Sequence, residues 1–195
     1  MIKHVFCCAF LSLLLAVQSQ ALTAIQAKDL AKKQVNDVAR KSLVQIYGKP
    51  STVGLYPVEW QILFYDPYAE QNGVMVTVSG NVVTSIRDGY TQMDRFRLFA
   101  YKQEEIIDAA RLKIDSKDLV GLLQRDSALK DIKISSVQLW LKKDDKGPMA
   151  AAVWNVVLFA ANPKGDKEVE FGNARVSAET GQILQLKLDL KAIGK

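Results

Sequence analysis

From Val58 onward the chain is written mostly in period two, and that pattern constrains its fold more than any other feature. Val58, Trp60, Ile62 and Phe64 alternate with residues facing the other way, up to the Asp66-Pro67 loop. Val74–Val78 and Val82–Ile86 are two further strands, joined by Ser79-Gly80-Asn81, a turn whose Gly-Asn pair tolerates positive φ. Ile132–Leu141, Met149–Ala160, Glu168–Ser177 and Gln182–Leu190 read the same way. Charged Gly/Pro turns at residues 142–148 and 162–167 separate them. A chain so patterned must build antiparallel sheet and cover one face of it.

Two helices are predicted to supply that cover. Thr23 with Gln26 forms a capping box. Ile25, Leu30, Val35, Val38 and Val44 then recur along one face until Gly48 and Pro50 stop the helix. Ser116-Lys117-Asp118 opens a shorter helix carrying Leu119, Val120, Leu122 and Leu123. Residues 93–115 are mixed: Arg95-Phe96-Arg97-Leu98-Phe99 alternates like a strand, whereas Gln103–Lys113 prefers helix.

The amino terminus has the three regions of a secretory signal. Lys3 precedes the apolar run Val5–Val17, and Ser19 and Ala21 are small residues suited to cleavage. The run is shorter than the ~20 residues needed to span a bilayer. Cleavage after Ala21 removes Cys7, Cys8 and His4, so the mature chain of roughly 174 residues can form no disulfide and is held by its core alone. Net charge falls from +5 to +4 as Lys3 leaves. The expected location is the periplasm or the extracellular space, with no nucleic-acid partner and no transmembrane segment in the mature chain.

The two halves parallel one another. Trp60-Gln61-Ile62-Leu63-Phe64 matches Trp154-Asn155-Val156-Val157-Leu158-Phe159, and Val76–Val83 matches Ala174–Ile183. The second half, residues 116–190, resembles the PepSY domain in its aromatic strand Val153–Phe159 followed by the hairpin Val176-Ser177-Ala178-Glu179-Thr180-Gly181-Gln182-Ile183. The first half is a poorer match, with a shortened turn. The resemblance implies an α+β fold of two tandem halves, each one helix on an antiparallel sheet. The boundaries would be a signal peptide at 1–21, an N-terminal half at 22–92, a connector at 93–115 and a C-terminal half at 116–195. It also implies an inhibitory or chaperone-like role toward an exported enzyme, without catalytic residues, since the family is associated with propeptides of secreted metallopeptidases.

Catalytic chemistry finds little to work with. Without Cys or His the mature chain offers no ordinary zinc or copper site and no imidazole base. Asp144-Asp145 sits in a Lys-flanked turn without calcium-loop spacing. Ser127-Ala128-Leu129-Lys130 matches S-x-x-K but lacks the partner motifs that give it meaning. Glu168 and Glu170 share one face of what reads as a solvent-facing edge strand. No catalytic, cofactor or metal residue is therefore assigned. Among the aromatics, Trp60, Phe64, Trp154 and Phe159 are expected in the core, and Tyr56, Tyr65 and Tyr68, or Trp140, could rim a binding surface. The function expected is non-enzymatic binding of an exported protein or peptide. The alternative is a periplasmic carrier of a small apolar or lipidic ligand.

Overall fold

The computed structural model describes residues 21–144, 151–165 and 167–195. The expected signal peptide, apart from Ala21, and Asp145 lie outside the described residues. Helix α1 spans Ala24–Lys32 and α2 spans Ser116–Gln124. Eight strands follow in chain order: β1 Leu43–Gly48, β2 Glu59–Tyr65, β3 Gly73–Ser79, β4 Val82–Asp88, β5 Ser136–Lys143, β6 Ala152–Ala161, β7 Glu168–Ser177 and β8 Ile183–Leu188. They form one antiparallel sheet in the order β4-β3-β2-β1-β5-β6-β7-β8. No helix among the described residues is long and apolar enough to cross a membrane.

This overturns the expected pair of separate helix-on-sheet halves. Each sequence half does supply four consecutive strands. However, β1 and β5 pair across the middle through Ile46–Leu141, Tyr47–Trp140 and Gly48–Leu139, so the sheet is continuous. Ala24, Ala27 and Ala31 of α1 share a single core with Leu119, Val120 and Leu123 of α2 and with one face of the strands. Two nine-residue helices are too short to give each half a layer of its own.

The long first helix is corrected for a related reason. The capping box forms as read, with Gln26 N–H on Thr23 Oγ1 and Thr23 N–H on Gln26 Oε1. The helix ends at Lys32, and Asn36 then accepts the amides of Val38 and Ala39, starting a separate 3-10 turn at Ala39–Lys41. Leu43–Gly48 becomes a central strand buried along its whole length, where Val44, Ile46 and Tyr47 suit a pleated surface.

Two tryptophans key the helices to the sheet. Trp60 Nε1 donates to the Leu22 carbonyl at 3.0 Å, and Trp154 Nε1 donates to the Ile114 carbonyl at 2.9 Å. Each carbonyl belongs to the residue just before a helix N-cap, Thr23 or Asp115. The helix starts also meet each other, since Ser116 Oγ accepts the Ala24 amide and Asp115 Oδ1 the Ile25 amide.

Residues 89–115 carry the chain between the two sets of strands. They leave β4 at Gly89, whose carbonyl oxygen would be struck by a Cβ on Gly73, and run over the face opposite the helices. They then turn round the end of β1, where Ile107 N–H meets the Leu43 carbonyl, and reach the main core. Neither the strand expected at residues 95–99 nor the helix expected at Gln103–Lys113 forms. Three short 3-10 turns stand there instead, at Gln92–Asp94, Gln103–Glu105 and Ala109–Arg111. Arg97, not the apolar residues beside it, makes the inward contacts.

Candidate functional site

The sheet face opposite the helices carries a row of polar and aromatic side chains in cross-strand register. On the first four strands the row is Ser85, Thr77, Gln61 and Tyr47. It continues through Trp140, Asn155, Arg175 and Gln185 on the last four. Directly paired residues share a face, so these side chains stand side by side across the sheet. The row is also matched between halves: Tyr47 with Trp140 at the centre, then Gln61 with Asn155, each following a core tryptophan. A period-two sequence hides such a row, because it becomes visible only when all the strand registers are known.

The two halves of the row differ in what lies on them. Tyr47, Gln61 and Thr77 are buried under residues 89–106, together with Gln45 one step along β1. The backbone amide of Gln92 donates to Gln61 Oε1 at 2.8 Å, and the Thr91 hydroxyl donates to Gln45 Oε1 at 2.9 Å. Asp94 accepts from Gln45 Nε2 and, at 2.8 Å, from the Tyr101 hydroxyl. Tyr101, fully buried, packs with Val44, Leu63 and Met75 in a second small core. Arg97 lies 4.1 Å above the Tyr101 ring and pairs with Glu105.

On the other half, Trp140, Asn155, Arg175 and Gln185 are only half-buried. A groove of about 340 Å³ runs between the crossing segment and β5, lined by Gln45, Asp94, Glu105, Trp140, Lys142 and Asp144 among others. A second groove of about 270 Å³ continues it over Asn155, Arg175 and Gln185. Lys142 Nζ sits 4.7 Å above the Trp140 ring, and Trp140 Nε1 reaches Gln45 Oε1 at 3.3 Å. Three of the groove's acids pair with arginines, Asp144 with Arg175 at 2.8 Å and Asp94 and Glu105 with Arg97, while Glu104 is exposed and lies 3.7 Å from Lys102. Among the described residues no cluster of His, Cys, Asp and Glu could hold a metal ion.

Of the residues singled out from sequence, Trp140 lies in the groove. Tyr56, Tyr65 and Tyr68 form no rim: Tyr56 packs against the main core, Tyr65 against the small core on the opposite face, and Tyr68 is exposed. Trp60, Phe64 and Trp154 are core, as expected. Phe159 is not: it is half-buried and paired with Ser136, on the face away from the helices. Glu168 and Glu170 are exposed on the start of β7, which pairs with β6 but lies beyond the reach of β8, and Glu168 accepts from the Ser136 hydroxyl. Ser127 and Lys130 are exposed turn residues.

Burial and the Asp94 charge both push the Tyr101 hydroxyl well above the ordinary tyrosine range. The folded state therefore holds this proton more tightly than the unfolded state. Its contribution is fully present below pH ~10 and is lost as pH rises past that point, where the unfolded tyrosine ionises. Tyr101→Phe should accordingly be less stable than the parent at pH 7 and lose less stability between pH 9 and 11 (on the order of the tyrosine range). Urea melts across that range check this; parallel decline of the two proteins would contradict it.

Taken together these features describe an antiparallel sheet protein with helices on one face and a half-covered polar row on the other. No family model, curated protein or solved structure matches the chain.

Proposed function

We propose that this chain is an exported, non-catalytic binding module, and that the open half of the row, on β5–β8, receives an extended stretch of a partner polypeptide. One observation carries the reading. The chain's own residues 89–106 already lie on the other half of the same row, where an amide side chain, Gln61, accepts a backbone N–H. Asn155 holds the matching place on the open half, and among the described residues its side-chain amide makes one hydrogen bond, from Nδ2 to the Trp140 carbonyl. Trp140 offers an apolar platform with a polar edge. On β5–β8 the bases Lys142, Lys143, Arg175 and Lys187 stand against Glu168, Glu170 and, just past β5, Asp144, a small basic excess that favours a polar segment carrying acidic residues. The resemblance of residues 116–190 to a module found in propeptides of exported enzymes fits a partner of this kind. A small apolar cargo finds less support, since the grooves are lined largely by charged side chains.

The test is selection of displayed random peptides on the protein. Selected peptides should bind Trp140→Ala and Arg175→Ala about tenfold or more weakly, as expected for central contact residues. Peptides that bind both variants as well as the parent would show that the face is not the receptor.

A further inference from the structure

The turn at residues 95–99 presents three large apolar side chains to solvent: Phe96 is 80%, Leu98 85% and Phe99 74% exposed. Isolated exposed apolar residues need no explanation, but a cluster held outward does. The hold is specific. Arg97, between them, points inward: Nε donates to the Phe99 carbonyl at 2.6 Å, Nη1 reaches Glu105 at 3.0 Å, and the guanidinium lies over the ring of buried Tyr101. In Arg95-Phe96-Arg97-Leu98-Phe99 the usual alternation is thus inverted, with a cation tied to the protein and the hydrocarbon displayed.

The charge around the turn indicates what covers it. Asp94 faces inward to Gln45 and Tyr101, whereas Arg95 is exposed and stacks over Phe96 at 4.8 Å from the ring centre. From 95 to 99 there is no acid. Exposed aromatic and aliphatic tips beside an exposed arginine match an anionic lipid interface, where the apolar groups enter the acyl boundary and the guanidinium meets headgroup phosphates. Side chains so nearly free of protein neighbours suit a soft medium that closes round them better than a rigid pocket.

We propose that this turn is a membrane-surface anchor, inserting Phe96, Leu98 and Phe99 into the interfacial zone of a bilayer containing anionic lipid. The inference does not depend on the peptide-binding reading: Arg97 of the turn lines the first groove, but Phe96, Leu98 and Phe99 line neither groove.

The experiment uses protein in the form recovered from its producing cells, with Cys7 and Cys8 replaced by serine where they are retained. A Leu98→Cys variant carries an environment-sensitive fluorophore and is mixed with phosphatidylcholine vesicles, with or without roughly 30% phosphatidylglycerol. The label should blue-shift with the anionic vesicles, and bilayer-buried quenchers should reach it. In the Leu98→Cys background, Phe96→Ser with Phe99→Ser should weaken the response about tenfold or more while leaving the thermal melt intact. A label that stays in water with both vesicle types would overturn the proposal. So would a shift produced only by envelope proteins and not by lipid, which would assign the turn to a protein partner.

Discussion

Trp154→Ala should lose ~3–5 kcal/mol of stability, the cost typical of truncating a buried aromatic and leaving its cavity. The indole, on the third residue of β6, is 1% exposed, and it does more than fill space. Its N–H satisfies the carbonyl just ahead of the α2 N-cap, so the truncation also orphans a polar group at the helix entry. Trp60→Ala should be comparably costly, because its indole makes the same bond to Leu22 ahead of α1. Trp154→Phe, which keeps much of the packing but loses the hydrogen bond, should fall in between, at ~1–3 kcal/mol. Tyr68→Ala is the control: at 87% exposure it should stay within ~0.5 kcal/mol of the parent. Urea melts followed by far-ultraviolet circular dichroism resolve these differences. A Trp154→Ala protein within ~1 kcal/mol of the parent would contradict the role given to the indole.

Asp94→Ala should release the crossing segment while the sheet stays folded. The carboxylate is the common acceptor for Gln45 and Tyr101 and lies 3.7 Å from Arg97. Removing it leaves two buried donors without that partner, at ~1–3 kcal/mol each. Those donors belong to the bond network between residues 89–106 and the sheet face. The loss should therefore appear as local opening rather than global unfolding. The Tyr101 amide, bonded to the Gln71 carbonyl, and the Gln92 amide, bonded to Gln61, should exchange roughly 10–100-fold faster with deuterated solvent. Amides of β6 and β7 should keep their protection. Uniform acceleration through the sheet, or none at all, would mean that Asp94 does not latch the segment.

Much of the sheet could be read from sequence because its cues are local. Val74–Val78 and Val82–Ile86 around Gly80, and the Glu168–Ser177 strand, fall where alternation and turn residues place them. The capping box at Thr23 is equally local. The misreadings arose where tertiary context decides. Val35, Val38 and Val44 extend a helical period past Lys32, but Asn36 captures the backbone and β1 is wanted between β2 and β5. A central strand buried along its length shows no alternation to give it away. Arg97 reverses the apparent faces of residues 95–99, because burying a guanidinium against Glu105 and Tyr101 depends on residues that only the fold brings near. The candidate site was visible as one residue, Trp140. Its neighbours Asn155, Arg175 and Gln185 come from three other strands, and no spacing in the sequence joins them.

The most direct test of the binding face is photo-crosslinking in the producing cell, with benzoylphenylalanine at Asn155 and, as control, at Lys33 beyond the end of α1. A polypeptide adduct should form at Asn155 and be suppressed by Arg175→Glu, and none should form at Lys33. A protein with no adduct at Asn155, or with an adduct indifferent to Arg175→Glu, would contradict the claim that the open half of the row receives a partner chain.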